Sequence, residues 1–173
     1  MLSRIRKSTP RDILFKIYMS SIQPTIDYAI TVWGNTTLAN INNIQRIQNY
    51  AARIVTNEFD YVNIRGAELV RQLKWMSVKQ RYEYFCLLLM FKCVHGQAPD
   101  YLCNNVIMEC EIANRETRAT YSNNVHVPYT TTEYARKTFI YNGAKLWNTL
   151  PSHVKNVCNI ESFKSYVKLF ILQ

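Results

Sequence analysis

The side chains in this sequence that could perform chemistry are three histidines, five cysteines, twelve carboxylates and twenty-one Lys and Arg residues. Nucleophilic catalysis needs a base held beside a nucleophile, yet His95, His126 and His153 lie in three separate segments outside any recognisable motif. They read as one helix-end residue and two loop residues, with no triad. Metal binding through Cys86, Cys93 and His95, or through Cys103 and Cys110, would use seven-residue gaps that differ from the short ligand spacing of structural zinc sites. The odd set of five, completed by Cys158, reads as reduced and mostly buried thiols. Asp12, Asp27, Asp60 and Asp100 are scattered, whereas a two-metal phosphoryl-transfer centre needs carboxylates that converge. Gly34, Gly66, Gly96 and Gly143 stand alone and form no phosphate loop. The expectation is a chain without catalytic residues, metal or cofactor.

Charge placement carries more information. The net charge is +9 with a pI near 9.4, which favours polyanionic partners. Residues 1–57 hold seven cations against Asp12 and Asp27, a net +5, and the other 116 residues share the remaining +4. On a helix, Asn42, Gln45, Arg46, Asn49 and Arg53 share one side, and no carboxylate occurs between Thr36 and Asn57. Guanidinium groups fork phosphate oxygens, and amides donate to them without repulsion. The candidate nucleic-acid-binding residues are therefore Arg4, Arg6, Lys7, Arg11, Asn42, Arg46, Asn49 and Arg53; the alternative is a basic face that is merely solvated. Trp33, Trp75 and Trp147 sit in apolar segments and read as core residues, not as a stacking platform for bases.

These residues must be positioned by helices. At 173 residues and 20.4 kDa the chain can bury roughly 70% of its unfolded surface. A hydrophobic fraction of 48% excludes disorder, and four glycines with five prolines argue against a tight-turned barrel. Pro10 and Asp12 open a helix running to about Ile22, and Pro24 restarts a short one that ends at Gly34-Asn35. Leu38, Ile41, Ile44, Ile47, Ala51, Ile54 and Val55 give a third of five turns. Residues 58–103 form a second helical group, in which Ser77 to Gln80 is a capping box and Leu87 to Phe91 make an all-round apolar helix ended by Gly96. A long polar loop is expected at 104–124. Two short strands are expected near 125–132 and 138–141, and a last helix capped by Asn159 buries Phe163, Val167, Phe170 and Ile171. The basic Arg4, Arg6 and Lys7 are followed by Ser8 to Asp12 where an export signal needs apolar residues, and no apolar run approaches the ~20 residues of a bilayer span. An intracellular protein, nuclear or cytoplasmic, is expected.

Several segments in order resemble one known family. IQPTIDYAITVWGN at 22–35, IQRIQNYAARIVT at 44–56, LKWMSVKQR at 73–81 and MFKCVHGQAPDYL at 90–102 are followed by TRATYSNN at 117–124, YNGAKLWNTLP at 141–151 and ESFKSYVKLF at 161–170. Together they resemble the region after the palm in reverse transcriptases of non-LTR, LINE-type retrotransposons, jockey-like elements above all. The resemblance implies that the fingers and the metal-binding palm of an RNA-directed DNA polymerase lie upstream of Met1. It implies that residues 1–57 are a thumb-like three-helix bundle resting on a primer-template duplex, and that residues 125–173 belong to a C-terminal extension. The expected fold is mainly α. The expected role is a non-catalytic fragment that contacts the backbone of an RNA or RNA/DNA duplex, with a helical protein-interaction module as the alternative.

Overall fold

The computed structural model describes residues 2–112 and 123–172. The chain is mainly helical, as its periodicity requires, and divides into two units, Met1–Tyr82 and Glu83–Gln173.

The first unit opens with α1 (Leu2–Ile5) and α2 (Arg11–Ile17). The helical path does not stop at Pro24. It widens into a π turn over Tyr18–Ile22 and continues as α3 (Gln23–Asp27), where Pro24 falls in the first turn and its missing N–H costs little. The break comes later, at Tyr28 and at Ala29 in the left-handed region (φ 50°), before α4 (Ile30–Trp33). Trp33 Nε1 donates to Tyr28 O at 2.7 Å, taking the carbonyl left free by that break.

α5 (Leu38–Thr56) matches the five-turn period, but its inward stripe is shifted. Ile47 is 58% exposed, and Gln48 beside it is wholly buried. Ala51, Ala52 and Val55 complete the buried side, packed with Leu14, Tyr18 and Trp75. Asn57 ends α5 at φ 57°, with Glu58 N donating to Arg53 O and Asn57 N to Ile54 O, a Schellman arrangement. α6 (Gly66–Gln72) ends in the same way at Lys74 (φ 54°), where Trp75 N donates to Val70 O and Lys74 N to Arg71 O. Residues 58–76, set apart from the first 57 by sequence pattern, thus fold onto them: Leu69, Val70 and Trp75 join the core of α2 and α5. A Cβ on Gly66 would lie 2.7 Å from Asn49 Cβ, so α6 approaches α5 as closely as glycine allows.

α7 (Val78–Val94) starts with the expected capping box: Ser77 N donates to Gln80 Oε1 at 2.9 Å and Gln80 N to Ser77 Oγ at 3.3 Å. Gly96 (φ 64°) ends it, with Gln97 N on Lys92 O at 2.7 Å. α8 (Asp100–Cys103) and α9 (Glu109–Ile112) follow. Part of the loop expected at 104–124, residues 113–122, lies outside the described residues, as does most of TRATYSNN.

The two expected strands do not form. Val125 makes an isolated antiparallel bridge to Met108, and Thr138 caps α11 (Phe139–Thr149) after the short α10 (Glu133–Arg136). Strand propensity at Thr138–Tyr141 yields because Thr138 Oγ1 serves as an N-cap and Gly143, Ala144 and Trp147 share the buried side of a helix. α12 (Ser152–Lys155) leads to α13 (Ile160–Leu172), whose cap is Asn159 Oδ1 accepting from Glu161 N at 2.8 Å. Phe163 and Val167 are buried as expected, whereas Phe170 stays exposed. The core of this unit is an aromatic stack: Phe91 lies 4.4 Å from Phe163, and Trp147 lies 5.8 Å from Phe163. Among the described residues no helix is long and apolar enough to cross a membrane.

Candidate nucleic-acid interface

The eight residues singled out by sequence divide into those that reach solvent and those that hold the fold. Arg4, Lys7, Arg11, Asn42 and Arg46 are exposed. Arg6 is half-buried, its guanidinium 4.4 Å from the centre of the Phe59 ring. Asn49 is half-buried under α6, and its Oδ1 accepts from Gln45 Nε2 at 2.9 Å.

Arg53 departs from the expectation most clearly. It is 5% exposed, and its guanidinium donates to Asp60 O at 3.0 Å, to Ile64 O at 2.5 Å and to Glu58 O at 3.4 Å, while lying 4.2 Å from the Tyr61 ring. Spacing puts Arg53 in line with Arg46, but the 58–64 connector folds back over the end of α5 and encloses it. The connector is itself organised by Asp60, whose carboxylate accepts from Val62 N, Asn63 N and Asn63 Nδ2. The hydrogen bonds from Asn63, with that from Val62, hold the Asp60 carboxyl below its ordinary pKa. Arg53 is thus the knot of this connector, and its donors are occupied by backbone.

The solvent side of α5 is left with Asn42, Asn43, Arg46, Ile47 and Tyr50, all exposed. It carries one guanidinium, two amides and a phenol, and no carboxylate. Lys16 on α2 adds to the exposed cations of the first two helices. By unit, the first holds twelve Lys and Arg against five Asp and Glu, a net +7, and the second nine against seven, a net +2. The charge bias seen in the first 57 residues therefore extends through Tyr82. Arg65, Arg71, Lys74 and Lys79 supply it, all exposed.

Sequence reasoning missed the buried polar network behind this face. Gln48 Nε2 donates to Met76 O at 2.9 Å and to Tyr18 Oη at 3.2 Å. Gln45 Oε1 accepts from Val78 N at 2.9 Å, at the start of α7. Arg81 pairs with Asp27 through a two-pronged ion pair. With its amide turned to satisfy both neighbours, Gln23 donates to Tyr18 Oη and accepts from Arg81 Nη1. Burial raises the Tyr18 pKa, partly opposed by its hydrogen bond with Gln48. Tyr18 also stacks flat on Trp75 with ring centres 4.0 Å apart. A glutamine inside an apolar period was the available signal, since a buried amide must find partners.

The histidines stay apart, and among the described residues no group of three His, Cys, Asp or Glu side chains could hold a metal. His95 ends α7, with Nδ1 on Phe91 O at 2.9 Å; His126 faces Glu109 at 3.6 Å. Of the cysteines only Cys86 and Cys93 are buried, while Cys110 and Cys158 are exposed, so the thiols are less enclosed than expected. Burial beside Cys103 pushes the Cys93 thiol up to about 11. Trp75 and Trp147 are buried, in accord with a core role.

A mainly helical protein with one strongly basic unit is the class that fold and charge define. Comparison of the chain with protein-family models, with curated proteins and with solved structures gives no match. The functional reading accordingly stands on the chain's own residues.

Proposed function

We propose that the chain acts as a non-catalytic nucleic-acid-binding part of a LINE-type reverse transcriptase, holding a primer-template or element RNA duplex by its phosphate backbone. The observation that carries this reading is the exposed set Arg4, Arg11, Lys16 and Arg46 on helices, with Lys7 in the turn between α1 and α2, in a unit with net charge +7. Exposed Asn42 and Asn43 flank Arg46 with neutral donors, which suits sugar and phosphate contact without base readout. The ordered sequence blocks add the family, and the helical fold agrees with a thumb.

Backbone binding displaces counterions, so the logarithm of the binding constant should fall linearly with log salt, with a slope of about −0.7 to −0.9 per phosphate neutralised. An RNA/DNA duplex titrated from 50 to 200 mM salt tests this, with a second duplex of unrelated sequence as control. Equal affinity for the two duplexes and a steep slope support the reading. A flat slope contradicts it and favours a protein partner for the same helices.

A further inference from the structure

The second unit contains a cavity of about 560 Å³ that includes Lys155, His95, Asn156 and Trp147 among its lining residues. That volume lies within the roughly 300–1,000 Å³ range of small-molecule sites. Val94, Met108 and Trp147 give it an apolar wall, and among the described residues none that lines it is a carboxylate.

Lys155 is the unusual member. It is 5% exposed, and its ammonium donates to Asn124 Oδ1 at 2.6 Å and to Asn148 O at 3.3 Å. Both acceptors are neutral. An ammonium has three N–H donors, and the third has no acceptor among the described residues. Asn148 O belongs to the last turn of α11, whose dipole offsets part of the charge but supplies no counter-ion. Burial alone pushes the Lys155 pKa down, as for a cation short of compensation. Glu109, which follows Met108 in the chain, faces His126.

Other donors share the cavity. Asn156 Oδ1 accepts from Asn123 Nδ2 at 2.7 Å, so the Asn156 amide NH₂ is unused among the described residues. The His95 ring is fixed by its bond to Phe91 O and by stacking on Phe91 at 4.0 Å. A compact ammonium acts on phosphate as a point charge, and the amide and imidazole beside it offer further donors to the several phosphate oxygens.

We propose that this cavity binds a phosphate group attached to an apolar or aromatic body, as in a nucleoside monophosphate. The phosphate meets Lys155 and Asn156, and the body lies against Val94, Met108 and Trp147. Its source is either a free nucleotide or the 5′-terminal phosphate of a strand. The site uses residues of the second unit alone, so its failure leaves the duplex-binding reading in place, and the reverse holds too.

Cys110 and Cys158 are exposed free thiols that also line the cavity, and they report its occupancy. The full-length chain is treated with iodoacetamide, and labelling of each cysteine is followed by peptide mass spectrometry with AMP, adenosine, or a 5′-phosphorylated or 5′-hydroxyl oligonucleotide. At about ten times its Kd, AMP slows labelling of Cys110 and Cys158 by about tenfold. Adenosine does not, and Lys155→Met weakens the AMP effect at least about tenfold, as loss of a charged hydrogen-bond donor should. Protection by the 5′-phosphorylated strand and not by AMP would support the phosphate site with a strand end as its source. Equal protection by adenosine, no protection by any phosphate, or unchanged AMP protection in Lys155→Met overturns the proposal. Should Lys155→Met fail to fold, as read by circular dichroism, the comparison of the four ligands in the unaltered chain decides alone.

Discussion

The two units solve the same packing problem with different chemistry. The first buries Gln48, Gln23 and Arg53 and satisfies each through carbonyls or side chains of other segments. The second closes around Phe91, Trp147 and Phe163, and its buried cation, Lys155, finds two neutral oxygens among the described residues. A polar network fixes one arrangement because each member needs its own partner, whereas an aromatic stack is stabilised mainly by area. The difference teaches where charge is free to act. In the first unit the inward cation Arg53 is consumed by backbone and Arg81 by Asp27, and most of the other cations are exposed.

Substitutions that remove one device and leave the other intact would sharpen that contrast. Trp147→Ala should cost the most, about 3–5 kcal/mol, and hydrogen exchange should show faster amides in α11 and α13 while α5 amides keep their protection. Arg53→Met should cost about 2–4 kcal/mol in urea unfolding, because it leaves the carbonyls of Asp60 and Ile64 without their donor. Equal loss of protection in both units from either change would break the contrast. Gln48→Leu is next, at about 1–3 kcal/mol, since Met76 O loses its hydrogen bond. Lys74→Gly should instead stabilise, by about 1 kcal/mol, because Lys74 sits in the left-handed region at the end of α6.

The Asp60 turn adds a pH dependence with a definite sign. Its folded pKa lies below the usual 3.8, so its contribution is complete above that value and is lost as pH falls through the lower folded pKa. Asp60→Asn should flatten the acid limb of the stability curve, and an unchanged limb would refute this role for the turn.

Sequence alone revealed the parts of this fold whose cause is local. The period of α5, the Ser77–Gln80 box, the Gly96 terminus and the Asn159 cap each depend on residues within a few positions of one another. What it did not reveal depends on distant partners. Gln48 is inward because Met76 O lies 28 residues away in the chain and arrives beside it. Arg53 looked like a phosphate ligand because its spacing matches Arg46, and only the returning connector removes it. In the same way Thr138 carries strand propensity but is claimed as a cap by the helix that Trp147 anchors. The candidate interface was legible in composition and in Arg46, and illegible wherever a cation had a backbone partner.

The central claim is that exposed cations of the first unit, Arg46 among them, hold nucleic acid by its backbone while Arg53 holds the protein. The most direct test is the salt dependence of duplex affinity for the unaltered chain, Arg46→Ala and Arg53→Lys. Arg46→Ala should fold normally, lose affinity equally for unrelated sequences and flatten the log–log slope by about one, whereas Arg53→Lys should lose stability and keep the slope. A slope unchanged by Arg46→Ala and flattened by Arg53→Lys would contradict the account.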